Sequence, residues 1–176
     1  EMLQKIQQQF NSTFNGSLVI DDIEPSIGKQ FPNLSVVLKN VFVRDSNWHI
    51  HQHDLLRVEK LYVQIKLIPL LTGKFQIRKF ILSKGSIYLF EDSNGMTNSS
   101  LFKKRKPSNQ TNNELKLRRV EIEDINFQFE HYHRKKNFNF HISALHTWID
   151  LDKGIRNIHS KGIITIHNLI FNTSKG

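Results

Sequence analysis

Histidine is the residue type in this chain whose number and spacing most suggest metal binding. There are nine histidines; His49, His51 and His53 alternate along one side of an extended stretch, as do His131 and His133. A zinc site needs ligands that converge in space and further groups that orient them. The spacing matches no known ligand signature. We therefore predict surface or loop positions for these histidines, and no metal site.

Carboxylates form two clusters that could in principle perform acid–base chemistry. The clusters are Asp21, Asp22 and Glu24, and Glu121, Glu123 and Asp124. General acid–base catalysis needs two such groups in a cleft with separated pKa values, whereas turns and strand edges explain these residues without catalysis. The sequence contains no nucleophile elbow, P-loop or dinucleotide glycine fingerprint, and it has no cysteine. It therefore predicts no catalytic residue, no cofactor and no enzyme.

The chain is basic, with 176 residues and a formal net charge of +9. Much of the charge lies in runs at Lys103–Lys106, at Lys116 with Arg118–Arg119, and at Arg134–Lys136. A net positive charge of this size is compatible with binding to a polyanion, with binding to an anionic membrane, or with solvated charge in loops. No nucleic-acid-binding motif occurs, and the aromatic residues near these runs pair well enough to be core. We therefore predict no nucleic-acid partner.

The elements that position these residues are organised around the stretch from Leu61 to Asn98, which predicts strand, helical turn, strand, turn and strand. Leu61, Val63, Ile65 and Leu67 share one side of an extended chain. Pro69 and Gly73 then indicate a short helical turn. The next turn is predicted at Ser83–Ser86, giving a hairpin that pairs Leu82 with Ile87 and Phe80 with Leu89.

The strand that begins at Leu34 has apolar residues on both sides. Leu34, Val36, Leu38 and Phe42 alternate on one face, and Val37, Val41 and Val43 on the other. A sheet with one wet face alternates apolar and polar residues, so this pattern predicts that both faces are covered.

The strand from Leu115 to Glu130 changes the parity of its apolar residues between Ile122 and Ile125, which predicts a β-bulge near Glu123–Asp124. A turn near His133–Arg134 would form a hairpin. Its predicted pairs are Phe129 with Phe138, Phe127 with Phe140, and Ile125 with Ile142. Further strands are predicted around His146–Leu151 and Ile163–Phe171, with turns at Asp152–Gly154 and Lys161–Gly162 and a meander-like antiparallel order.

The remaining segments complete one predicted domain over residues 1–176. Residues 1–14 have apolar residues at helical spacing and predict an amphipathic helix; residues 21–28 predict a connection and residues 93–113 a flexible loop. The fold class is therefore mainly β with a long antiparallel sheet, and the resemblance described next implies that this sheet is curved and forms a groove.

Several motifs, in order, resemble the N-terminal region of the AsmA family of bacterial envelope proteins. They are Phe14–Ile20 after a helix, Phe31–Leu34 leading into Leu38–Val41, Val58–Gly73 with its Pro69–Gly73 turn, and the strand that ends in Glu91–Asn98. They cover about the first hundred residues.

The resemblance implies a periplasmic β-rich body attached to the inner membrane by an anchor helix outside this chain. It also implies a relation to bridge-like lipid-transfer proteins, and so phospholipid transport or support of outer-membrane assembly, with phospholipid, membrane and envelope proteins as partners. The candidate groove residues are apolar side chains at alternate strand positions: Leu61, Val63, Ile65, Leu67, Phe80, Leu82, Ile87, Leu89, Phe127, Phe129, Phe138 and Phe140. The alternative is a β-rich protein-interaction domain whose apolar face packs on a partner or on more of its own chain.

Overall fold

The computed structural model describes residues 4, 7, 8, 10, 11, 14–26, 33–66, 77–102, 118–152 and 155–171. Strands dominate the described chain. Their bounds are β1 Gly16–Ser26, β2 Asn33–Asp45, β3 Leu56–Lys66, β4 Ile77–Glu91, β5 Arg119–His131, β6 Lys136–Asp152 and β7 Ile155–Ile170. A helix of one turn, α1, covers Trp48–His51, and a 3-10 helix covers Asn98–Phe102.

The strands form a single seven-stranded open sheet in the order β1-β2-β3-β4-β5-β6-β7. Neighbours are antiparallel except β4 and β5, which are parallel. The predicted mainly β chain with one long, mostly antiparallel sheet is confirmed. The parallel pair departs from a meander because the chain between β4 and β5 must return to the opposite end of the sheet before β5 begins.

Left-handed backbone recurs at one row that crosses the sheet. Asn40 in β2, Lys84 in β4 and Asp124 in β5 have φ angles of 47°, 58° and 55°. Within a regular strand, neighbouring residues of one face are two positions apart in the sequence. In β1 to β6, the two residues of the apolar face on either side of this row are three positions apart. These pairs are Ile20 and Ile23, Leu38 and Val41, Val58 and Leu61, Leu82 and Gly85, Ile122 and Ile125, and Ile142 and Leu145.

We call the intervening row, which runs through Asp21, Asn40, Glu59, Lys84, Asp124 and Ser143, the bulge row. The bulge predicted near Glu123–Asp124 is confirmed as one member of it. Because each neighbouring strand carries its own extra residue at this row, pairing resumes in register on both sides. Glu123, for example, pairs with Ser83, and Ile125 pairs with Gly85.

The bulge row corrects the prediction that both faces of β2 are apolar. The left-handed residue Asn40 reverses the alternation, so Val36 and Leu38 before it and Val41 and Val43 after it all enter the same core. An alternation that ignores Asn40 assigns Val41 and Val43 to the wrong face. The prediction is therefore wrong for Val41 and Val43, while Val37 on the opposite face is buried, at 9% exposed.

The predicted hairpin at Ser83–Ser86 is wrong, because β4 continues through these residues as one strand. Leu82 pairs with Leu61 of β3 and Ile122 of β5, and not with Ile87. The Lys-Gly pair that resembles a turn instead serves the bulge row. A Cβ atom on Gly85 would lie 1.9 Å from the carbonyl oxygen of Arg57, so glycine permits a close approach of two strands here.

The predicted turn at Lys161–Gly162 also lies within a strand, and two predicted strands are one. β6 runs unbroken from the Phe138 region through His146, and β7 continues through Lys161–Gly162, where a Cβ atom on Gly162 would lie 2.4 Å from the carbonyl oxygen of Ala144. The predicted connection at residues 21–28 is wrong as far as Ser26, because β1 extends to it. The hairpin between β5 and β6, by contrast, has all three predicted pairs.

The N-terminal helix and the predicted flexible loop are described only in part. Residues 4, 7, 8, 10 and 11 are helical. The loop prediction is wrong for Asn98–Leu101, because Asn98, Ser100 and Leu101 are buried. Residues 103–113 and the Pro69–Gly73 turn lie outside the described residues.

Candidate lipid-binding face

One apolar face extends across the sheet from β1 to β7. In one transverse row, paired residues place Leu18, Val43, Leu56, Ile87, Phe127, Phe140 and Ile166 side by side. In the next row, on the near side of the bulge row, they are Ile20, Val41, Val58, Gly85, Ile125, Ile142 and Ile164. Because strand side chains alternate between faces, the shared register puts all of these on one side. We call this side the apolar face.

The β1–β3 half of the apolar face is a packed core. Val41 is 0% exposed and Leu38 and Val58 are each 1% exposed. Phe10 and Phe14 from the N-terminal segment and Leu101 from the 3-10 helix pack against this cluster. These side chains cover this half of the face, as a second layer of a domain would.

The β5–β7 half has aromatic residues that are only half-buried. Phe127 and Phe140 stack with their ring centroids 4.6 Å apart, and Phe129 and Phe138 stack at 5.4 Å. Phe171, just after β7, lies 4.9 Å from the ring centroid of Phe138. This aromatic cluster continues the core without becoming fully enclosed.

The candidate groove residues with described side chains all lie on the apolar face, but in two environments. Val63 is buried in the core, and the other β3 and β4 candidates pack against it: Leu61, Phe80, Leu82, Ile87 and Leu89. Phe127, Phe129, Phe138 and Phe140 form the half-buried cluster. Leu67 lies outside the described residues, and the side chain of Ile65 is likewise not described.

β7 adds apolar surface that the sequence interpretation missed. Ile164, Ile166 and Leu169 continue the apolar face and are 47%, 61% and 48% exposed. They pair with Ile142, Phe140 and Phe138. The signal was present in the sequence as the alternation of Ile164 and Ile166, but the turn predicted at Gly162 obscured the full length of the strand.

The opposite face of the sheet, which we call the polar face, is mostly polar, but Val37 and Phe90 on it are buried. Lys79 and Glu121 form an ion pair across β4 and β5 at 2.6 Å, and Glu121 also lies 3.6 Å from His146 of β6. An open depression of about 840 Å³ crosses this face at the bulge row, with Asn40, Arg57, Lys84, Asp124 and Asn126 among its lining. The mixed charges there suit solvent and not an acyl chain.

A buried polar cluster at one end of the sheet contains residues of catalytic type. Asp45 accepts hydrogen bonds from Ser100 Oγ at 2.8 Å and from the Asn47 amide at 3.2 Å, and its other oxygen lies 2.8 Å from Nε2 of His51. The side chains of Asp45 and His51 are 0% and 5% exposed. Because His51 Nδ1 accepts a hydrogen bond from the amide of His53, the proton of the neutral imidazole is on Nε2. Nε2 therefore donates a hydrogen bond to Asp45.

This arrangement is unsuited to nucleophilic catalysis. A serine nucleophile needs a base beside its hydroxyl, whereas the hydroxyl of Ser100 donates its hydrogen bond to the carboxylate of Asp45 and not to the imidazole. The cluster instead joins β2, α1 and the 3-10 helix. Asn98 strengthens the same end, because its side chain accepts from the Phe90 amide and donates to the Tyr88 carbonyl.

Nothing among the described residues provides a metal centre. No group of three or more histidine, aspartate or glutamate side chains comes together there in a way that could hold an ion. His51 binds Asp45, and the ring of His53 packs edge-on against Tyr88 at 5.3 Å. His131 lies 3.6 Å from Glu91. These histidines therefore have packing and hydrogen-bonding roles.

One ionisable group on the polar face has a strongly perturbed pKa. Burial, followed by the hydrogen bond from its hydroxyl to Glu130 at 2.9 Å and the charge of that carboxylate, raises the pKa of Tyr88 to about 12. A phenol that holds its proton this firmly is a poor base at neutral pH. Tyr88 thus ties β4 to β5.

Comparison of the chain with protein-family models, curated proteins and solved structures found no significant match. Within the described part of the chain, the helices are too short or too polar to cross a membrane.

Proposed function

We propose that this protein is a non-enzymatic lipid-binding module in which the β4–β7 part of the apolar face holds the acyl chains of a phospholipid. The observation that carries the proposal is the continuity of that face across all seven strands. Phe10, Phe14 and Leu101 pack on the core of the β1–β3 half, which reaches Ile125 of β5. Beyond it, the phenylalanines of β5 and β6 are half-buried, and Ile164, Ile166 and Leu169 of β7 are exposed.

The physical basis is the transfer of acyl methylene groups from water to an apolar surface. Each buried methylene contributes roughly 0.8 kcal/mol, so contact along a few side-chain rows offsets the loss of lipid mobility. Binding of this kind needs alternating apolar side chains and no catalytic group. The motif resemblance to AsmA-like proteins supports the same function and extends it to phospholipid transport or outer-membrane assembly on the periplasmic side of the inner membrane.

Two neighbouring positions on β7 provide a matched test. Ile166 is on the apolar face beside Phe140, whereas Thr165 points to the opposite face beside His141. Both are exposed, so an aspartate at either position avoids a buried charge. Ile166→Asp should reduce binding of a fluorescent fatty acid at least about tenfold, and Thr165→Asp should leave it within about twofold.

Organic extraction followed by mass spectrometry gives an independent measurement on the purified protein. Co-purified phospholipid that decreases in Ile166→Asp and persists in Thr165→Asp supports the proposal. Protein free of lipid that also fails to bind the fatty acid, or equal effects of the two substitutions, would refute it.

A second candidate function is protein interaction through the free edge of β7. This strand has 16 residues and is the last in the sheet, so the outer side of its backbone has no neighbouring strand among the described residues. Exposed edges with apolar side chains readily add another strand. If the edge is the functional surface, Ile163→Lys, which places a charge on the polar face of this edge strand, should abolish partner binding or self-association while the extracted lipid is unchanged.

A further inference from the structure

Exposed apolar side chains gather at one end of the sheet, which we call the docking end. There β4 ends, the turn from β5 to β6 occurs and β7 ends, as the pairs Glu91 with His131 and Asn137 with Ile170 show. The large apolar side chains exposed at this end are Ile50 after β2, Phe102 after β4, Tyr132 after β5, and Ile170 and Phe171 at the end of β7.

Basic residues lie at the same end. Arg134, Lys135 and Lys136 form the turn and first residue of β6, between Tyr132 and the aromatic cluster. Among the described residues, none of these three cations forms an ion pair or a side-chain hydrogen bond. Their charges are therefore available to an external anion.

The acidic groups at the docking end are engaged within the protein. Asp45 is buried against His51 and Ser100, and Asp92 accepts hydrogen bonds from the backbone amides of Asn94 and Met96. At the same end, Asp54 binds Arg44 and Trp48, and Glu130 accepts from Tyr88 and Gln128. Glu91 lies 3.6 Å from His131. Among the described charged groups at this end, those without a partner in the protein are therefore Arg134, Lys135 and Lys136.

We propose that the docking end binds an anionic bilayer surface, with Arg134, Lys135 and Lys136 among the lipid head groups and the side chains of Phe102, Tyr132 and Phe171 at the level of the acyl boundary. Tyrosine, with an apolar ring and a polar hydroxyl, favours this interface, phenylalanine rings insert at the acyl boundary, and cations beside them gain from the surface potential. The contact of Phe171 with Phe138 joins the docked end directly to the apolar face. The inference concerns membrane docking and stands apart from whether that face retains lipid.

Vesicle binding with matched charge reversals tests the electrostatic part. Arg134→Glu/Lys135→Glu changes the docking end, and Arg118→Glu/Arg119→Glu makes the same change to exposed residues at the opposite end of β5. On phosphatidylcholine vesicles that contain phosphatidylglycerol, the first variant should bind at least about thirtyfold more weakly and the second no more than about threefold more weakly. Vesicles of phosphatidylcholine alone should show little difference.

Tryptophan quenching tests which residues enter the bilayer. In a background in which Trp48 and Trp148 are replaced by phenylalanine, Tyr132→Trp should be quenched by brominated phospholipid in anionic vesicles. In the same background, Ile163→Trp, exposed on the polar face in the middle of β7, should not be quenched. Equal quenching at both positions, or equal effects of the two charge reversals, would overturn the proposal and favour a non-specific basic surface or a protein partner. Lipid extracted from the Arg134→Glu/Lys135→Glu variant should be unchanged, which separates docking from retention.

Discussion

Replacing Lys84 by glycine should stabilise the protein, although glycine normally weakens a strand. Lys84 lies in β4 with φ of 58°, a left-handed conformation that is unfavourable for a residue with a Cβ atom. Its side chain is exposed on the polar face and makes no described hydrogen bond or ion pair. The substitution therefore changes the backbone energetics and little else.

Two opposing terms set the size of the effect. A left-handed residue other than glycine costs roughly 1–2 kcal/mol, and replacing it by glycine relieves that cost. Glycine adds about 0.5–1 kcal/mol of conformational entropy to the unfolded chain. The free energy of unfolding should consequently rise by about 0.5–1 kcal/mol.

Urea unfolding of the wild-type chain, Lys84→Gly and Ser86→Gly measures the sign directly. Ser86 lies two residues further along β4, pairs with Arg57 and Asn126, and is not among the residues with positive φ. Ser86→Gly should therefore destabilise by about 1 kcal/mol. A loss of similar size in Lys84→Gly would show that the strand is regular there, and the bulge row would then be wrong in β4.

Three further perturbations follow from close contacts. Gly85→Ala should destabilise by more than about 2 kcal/mol in urea unfolding, because its Cβ would meet the Arg57 carbonyl at 1.9 Å; an unchanged midpoint would contradict that contact. His51→Ala should cost about 3 kcal/mol, because it removes a donor from the buried carboxylate of Asp45, and restored stability in the double variant with Asp45→Asn would confirm the pairing. The pKa of Tyr88 is raised to about 12 from the ordinary tyrosine value of about 10, so stability should decrease as pH rises from 10 to 12, and Tyr88→Phe should show a smaller decrease.

The parts of the fold that were predictable from sequence depend on local pairing. The β5–β6 hairpin could be predicted because Phe127 and Phe129 must face Phe140 and Phe138 whenever the turn lies near His133. Alternation and a short connection determine that register together.

Pairing between strands that are distant in the sequence could not be predicted from the pattern of one strand alone. Leu82 and Ile87 satisfy a hairpin as well as they satisfy separate partners on β3 and β5, so the sequence pattern around Lys84-Gly85 does not distinguish the two. The parallel pairing of β4 with β5 depends on a polar connection without apolar periodicity. The sequence predicted a three-residue spacing between neighbouring residues of one face only in β5. The bulge row is defined by the recurrence of that spacing in six strands.

The sequence indicated on which face of the sheet the candidate residues lie, but not which of them are exposed. The described candidates all lie on the apolar face, but burial separates those that support the core, such as Val63, from those that remain available, such as Phe138. Which half is covered depends on Phe10, Phe14 and Leu101, whose docking no alternation pattern encodes.

The bulge row also constrains how this protein can change in evolution. Deleting one residue from a single strand at that row would turn the apolar residues on one side of the deletion toward solvent, while the neighbouring strands kept their orientation. Single insertions and deletions there should be far less tolerated than substitutions at exposed members of the row, such as Glu59. Homologues should accordingly conserve the distance between Leu38 and Val41, and its counterparts in the other strands, more strictly than they conserve the residues in between.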